Sequence, residues 1–130
     1  MKQPALLFWD RAITTIETAA SLVDADPESA ASRAYYAAFY AVSALFALEG
    51  KAFRKHQAVE AAVHRDLVNA GRWSNDLGKD YSFLVNVRYT SDYDVAHRVS
   101  SDEAQQAIRA ARRILRIVRD TSPDFESDTG

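Results

Sequence analysis

The stretch DPESAASRAYYAAFYAVSALFALEG, residues 26–50, decides the fold. It opens on Asp26-Pro27, a capping carboxylate followed by a proline at the first helical position, where a missing N–H forfeits no hydrogen bond. It closes at Gly50, a helix stop. Between them, Ala34 to Leu48 form the longest uncharged run of the chain, 15 residues. Alanine dominates it, and alanine loses no side-chain entropy on entering a helix. A membrane span needs about 20 apolar residues, and this run carries three tyrosines and a serine. The pattern predicts a helix that is apolar nearly all round and therefore lies at the centre of a bundle.

Other helices fall into place on either side. Leu6, Trp9, Ile13, Ile16, Ala20 and Val23 recur at spacings of three and four, which predicts a first helix from Pro4 to about Val23 with one buried face. A basic, glycine-containing loop follows at Glu49–Lys55. A third helix is expected from His56 to Ala70 with Val59, Ala62, Val63 and Leu67 inward, then a second loop over Gly71–Gly78. The fourth runs from about Leu77 to Tyr93, its inward stripe being Leu77, Tyr81, Leu84 and Val85, continued by Arg88. Ser100 and Glu103 stand at capping-box spacing and start the fifth. Its core face is Ala104, Ala107, Ile108, Ala111, Leu115 and Val118. The fold class is all-α, an antiparallel bundle of four to five helices joined by short loops. Residues 1–120 are read as the helical domain and 121–130 as an acidic, disordered tail.

Composition narrows the chemistry. A 130-residue chain, 48% hydrophobic and 26% charged, fits one globular domain. With no cysteine, disulfides and thiolate chemistry are excluded. The net charge is −2, and Asp120, Asp124, Glu126 and Asp128 sit at the end with no basic residue among them, so the body without them carries +2. That weak surplus suits contact with an anion but not wholesale coating of DNA. Met1-Lys2-Gln3-Pro4 has no secretory-signal character, and a cytoplasmic protein that keeps off membranes is expected. No phosphate-loop, nucleophile-elbow or triad pattern occurs, and no cofactor is expected.

Arg88 and Asp92 are the sharpest anomaly, because Arg88 shares the direction of Tyr81 and Leu84 and Asp92 lies one turn beyond. Charges turned inward are costly unless paired. They form either a structural ion pair or a cleft in which Arg88 holds a phosphate. Arg33 shares a helical face with Tyr36, Tyr40 and Ser43, either packed core with polar handles or the wall of a ligand pocket. Lys51, Arg54, Lys55 and His56 cluster at a helix start, either a solvated loop or a phosphate contact. His56, Glu60 and His64 at i, i+4 and i+8 permit metal ligation, yet no further ligands cluster there and no metal site is assigned. Arg109, Arg112, Arg113 and Arg116 form a stripe opposite the core face of the last helix, either a solvated face or an RNA track.

Ser32-Arg33-Ala34-Tyr35-Tyr36-Ala37-Ala38-Phe39-Tyr40, then Lys55-His56, then Arg88-Tyr89-Thr90-Ser91-Asp92-Tyr93, resemble in order and spacing the small prokaryotic HEPN proteins, over about Leu6 to Val118. The resemblance implies a four- to five-helix bundle, commonly a homodimer, often associated with a minimal nucleotidyltransferase and sometimes part of a toxin–antitoxin pair. It also implies kinship with metal-independent ribonucleases whose motif is an arginine, four to six residues, then a histidine. Arg88 matches the arginine, but Tyr93, Asp94 and Val95 occupy the histidine positions, and His97 comes too late. Asp92-Tyr93 matches instead the branch in which the arginine is followed by Asp-Tyr.

The expected function is therefore binding of a nucleotide, RNA or a nucleotidyltransferase partner through a cleft between the second and fourth helices. Arg33, Tyr36, Tyr40, Arg88, Asp92 and Tyr93 are its candidate ligand contacts, with Lys55 and His56 at the rim. The alternatives are a metal-independent endoribonuclease, with catalytic candidates Arg88, Asp92, His56 and His97, and a purely structural dimeric module.

Overall fold

The computed structural model describes residues 3–125. Five helices account for most of it: α1 (Gln3–Leu22), α2 (Pro27–Leu48), α3 (His56–Ala62), α4 (Asn75–Tyr93) and α5 (Ser101–Thr121). Two shorter elements complete the described residues, a π-helical continuation of α3 over Val63–Val68 and a 3-10 turn over Pro123–Phe125.

The helix α2 is the axis on which the others are laid, packing against α1, α4 and α5. Its start is the expected one: the Asp26 carboxylate accepts the Ser29 backbone N–H at 3.2 Å, and Pro27 opens the first turn. Ala30, Ala31, Ala34, Ala37, Ala38, Ala41 and Ala44 are all completely buried. With only a methyl on each, neighbouring helices approach closely, and the large residues that fill the spaces come from the partners: Trp9 and Ile16 of α1, Tyr81 and Leu84 of α4, Ile114 and Val118 of α5. The predicted core face of α5 is buried throughout, joined by Ala110 and Ile114. The capping box also forms, Ser100 Oγ accepting from Glu103 N at 3.1 Å while Glu103 Oε1 accepts from Ser100 N at 3.1 Å.

Ala20, expected on the buried face of α1, is exposed, and Ala19 sits in the core instead. Three further local features depart from the sequence reading. The third helix does not stay α-helical to residue 70. Over Val63–Val68 the ladder widens to the π pattern, shown by Asn69 N donating to His64 O at 2.8 Å. The wider register keeps Val63 and Leu67 in the core and points His64 at α4, where its Nε2 meets Ser82 Oγ at 3.1 Å. Such π turns are often found at strained or functional places. The fourth helix begins at Asn75, two residues early, because the Ser74 hydroxyl caps it by accepting from Leu77 N. Gly78 is thus inside a helix and buried. A Cβ there would lie 2.9 Å from Val68 Cγ2, so the glycine is what lets the π turn and α4 touch.

The third departure is at the end. The residues from 121 onward were expected to trail off as a polar tail. Instead α5 continues through Thr121, and the turn at Pro123–Phe125 sends Phe125 back into the core with no exposed surface, its ring 5.0 Å from that of Trp9. Burying an aromatic ring against another outweighs the polarity of its neighbours. The expectation for residues 126–130 lies outside the described residues.

Candidate anion-binding cleft between helices two and four

Arg88 turns toward α2, and Asp92, exposed at the edge of the same cleft, pairs with it. The Arg88 Nε lies 3.3 Å from Asp92 Oδ2, one turn along α4, and the two side chains retain 19% and 30% of their exposure. The guanidinium is also laid over two rings of α2, 5.2 Å from the Tyr35 centroid and 5.5 Å from that of Tyr36. A cation over an aromatic face is attracted by the ring quadrupole. Arg88 is therefore held on one side by a carboxylate and on the other by π faces, in a fixed orientation.

A histidine completes the cluster. His56, the first residue of α3, packs its ring on Phe39 at 4.4 Å and edge-on to Tyr36 at 5.5 Å. Its Nδ1 lies 3.1 Å from the Tyr35 hydroxyl. Burial lowers the His56 pKa from its usual 6.5, and the positive Arg88 lowers it further. Burial pushes the Tyr35 phenol up to about 12. Near neutral pH the imidazole is thus uncharged beside an intact phenol, and the hydroxyl donates to Nδ1 or accepts from it according to tautomer. Arg88 keeps its charge, its pKa raised on balance: burial opposes the charged form, and Tyr36, Tyr35 and Asp92 outweigh it.

The cluster borders an open groove of about 510 Å³ where the first turns of α2 meet the end of α4. Ser32, Arg33 and Tyr36 form one wall, Ser91 and Asp92 the other, with Asp26 and Glu28 at the mouth. Arg88 does not line the groove but meets it through Tyr36 and Asp92, one on each wall, both of which it contacts. The two helices are tied here by Ser91 Oγ donating to Glu28 O at 2.6 Å. The carboxylates around the groove are engaged: Glu28 with Arg98 Nε at 3.3 Å, Asp92 with Arg88, and Asp26 in capping α2. Arg33 is exposed and has no ion pair among the described residues, so it is the cation available to an incoming anion.

The remaining sequence candidates are dispersed. Tyr40 lies one turn along α2, its ring 6.2 Å from Tyr36, but it faces α1, where Arg11 sits 5.4 Å over it. Lys55 is exposed at the N-cap of α3 without a capping side-chain bond. Tyr93 is 62% exposed, its ring tilted 5.0 Å from that of Tyr89, and it lines not this groove but a smaller adjoining depression with Glu28, Ser91 and Asp92. His97 lies beyond α4, its Nε2 3.5 Å from Glu103 Oε1 at the start of α5. His56 and His64, eight residues apart, engage different partners, Tyr35 and Ser82. Sequence reasoning places Tyr35 in the family motif but not among the site residues. Its signal was present in the adjacent pair Tyr35-Tyr36, one ring turned inward under Arg88 and the next outward to the groove.

A five-helix bundle with a central alanine-rich helix and an arginine–aspartate pair set against its tyrosines defines a class of small helical domains. The chain belongs to the HEPN domain family, whose model matches residues 5–121. It is 36% identical over 98 residues to a "UPF0332 protein" of Thermotoga maritima, covering 75% of this chain and 74% of that one. It is 26% identical over 107 residues to "Putative toxin MJ0142" of Methanocaldococcus jannaschii, covering 82% and 73%. Among solved structures, that of TT1696 from Thermus thermophilus superposes with a TM-score of 0.78 at 21% identity, covering 94% of this chain and all of that one, a likeness of fold. No described helix is long and apolar enough to cross a membrane.

Proposed function

We propose that this HEPN protein binds the phosphate of a nucleotide or RNA in the groove between α2 and α4. The observation that carries the reading is the guanidinium of Arg88, held between Asp92 and the Tyr35 and Tyr36 rings behind a groove that Arg33, unpaired among the described residues, lines. A pre-oriented arginine loses less freedom on binding than a mobile one and meets phosphate with a planar fork of donors. Tyr36, on the groove wall, offers a face for a base to stack on. A role in a toxin–antitoxin type system, with a nucleotidyltransferase as partner and the domain as a homodimer, extends this reading. Similarity to a protein named as a toxin supports the toxin role.

The test is titration of AMP by calorimetry and of a labelled single-stranded RNA by anisotropy, with wild type and Arg88→Ala. Binding should fall at least tenfold in the variant with little change in melting temperature. Unchanged binding, or a lower melting temperature with no loss of affinity, makes Arg88–Asp92 a structural pair.

One observation favours ribonuclease activity as a second reading: His56, uncharged near neutral pH, lies in the field of Arg88, whereas His97 does not share the cluster. An unprotonated imidazole is the form that takes a proton from an RNA 2′-hydroxyl. RNA cleavage that persists in EDTA and disappears in His56→Ala would support it, and intact RNA at high protein concentration would remove it.

A further inference from the structure

A second groove of about 460 Å³ runs between α1 and α2, lined by Arg11, Thr14, Thr15, Thr18, Arg33 and Tyr40, with Asp10 and Leu7 at its edge. Arg33 belongs to both grooves and stands between them. Along the same face of α2 the cations and rings alternate. Arg88 lies over Tyr36, the Tyr36 and Tyr40 rings are 6.2 Å apart, and Arg11 lies over Tyr40. Neither Arg11 nor Arg33 has an ion pair among the described residues, and with the single carboxylate of Asp10 the groove keeps a surplus of one positive charge. Thr15, otherwise 93% covered, also borders this space, and the threonines supply hydroxyls that can donate or accept.

Interleaved cations and aromatic faces along a groove suit a single-stranded nucleic acid: cations follow the phosphates, and every base has a π face to lay on a ring. A mononucleotide would use only one end of such a track. We infer that the α1–α2 groove is a second subsite, so that the ligand of the α2–α4 cleft is a single-stranded oligonucleotide continuing past Arg33 onto Tyr40 and Arg11. This rests on the phosphate-binding reading of the cleft and adds to it the length of the ligand and the direction in which it runs.

The probe is a fluorescein-labelled uridine 8-mer, titrated by anisotropy over a salt series. The proteins are wild type, Arg11→Gln, Arg88→Ala, and Arg109→Gln on the outer face of α5 as a control. Arg11 and Arg109 are exposed, so both variants fold, as melting curves will verify. Arg11→Gln should bind the 8-mer about tenfold more weakly, a loss within the range for one phosphate and one stacked base. Its slope of log affinity against log salt should be shallower by about 0.7, the value for one phosphate contact to a single strand. Arg109→Gln should match wild type. If Arg88→Ala loses the 8-mer while Arg11→Gln matches wild type in affinity and slope, the cleft stands and the second subsite falls. If wild type binds neither the 8-mer nor AMP, both readings fall together.

Discussion

The Tyr35 hydroxyl lies 3.1 Å from Nδ1 of His56, which joins the central helix to the start of α3 directly beneath the Arg88 guanidinium. The contact places a titratable ring where protonation is penalised by burial and by a fixed positive charge. Folding therefore favours neutral His56, while in the unfolded chain the ring titrates at its ordinary 6.5. The unfolded state takes up the proton first as pH falls, so this contribution is complete above about 6.5 and drains away as pH drops through the lowered folded value. Urea unfolding of wild type and His56→Leu between pH 7.5 and 5 should show a stability difference that changes steadily against wild type as pH falls below 6.5. Parallel curves would mean that His56 titrates normally. In Arg88→Met the His56 pKa followed by NMR should rise toward 6.5.

The Arg88–Asp92 pair should matter more for recognition than for stability. Both side chains retain some solvent contact, and ion pairs so placed contribute about 1 kcal/mol or less. Asp92→Asn should thus lower unfolding free energy by no more than about 1 kcal/mol. A loss of several kcal/mol would make the pair a structural element of the bundle and weaken the case for a binding cleft.

At Gly78 two effects oppose each other. Replacing a mid-helix glycine by alanine gains about 1 kcal/mol from helix propensity alone. Here the new methyl would meet Val68 Cγ2 at 2.9 Å, and a β-branched valine has little freedom to move aside. Gly78→Ala is expected to lower the melting temperature, and adding Val68→Ala should recover most of the loss. Additive effects in that double-mutant cycle would show that the contact is not the cause.

Phe125 should behave as a core residue. Phe125→Ala removes a ring with no exposed surface from its place against Trp9 and should cost about 3–5 kcal/mol in denaturant unfolding. A cost near zero would return residues 121–125 to the status of a tail.

The parts of the fold legible in the sequence were those written in local chemistry. Asp26-Pro27 marks the start of α2 because capping and proline placement act within one turn. Ser100 and Glu103 announce α5 for the same reason. Arg88 was visible because a charge interrupted an apolar stripe. What stayed hidden depended on distant partners. The π turn is set by His64 reaching Ser82 and by Val68 meeting Gly78, and no local propensity encodes either contact. Tyr35 did not stand out as a site residue because α2 is apolar on every side, so periodicity could not rank one tyrosine over its neighbour. Phe125 was masked by the polar residues around it, although a single ring suffices when the core has a place for it.

The alanine surface of α2 determines how the cleft can change shape. Residues without side-chain slack cannot be compressed or rotated aside, so the helix behind the Ser32, Arg33 and Tyr36 wall should hold its backbone amides longest against exchange with deuterium and open only when the whole bundle opens. Beyond α4, residues 94–98 run exposed, with Val95 almost wholly bare. Any widening for a bulky guest then falls to this outer lip, which the surface ion pairs Arg98–Glu28 and His97–Glu103 tie to the bundle, while the opposite side serves as an anvil.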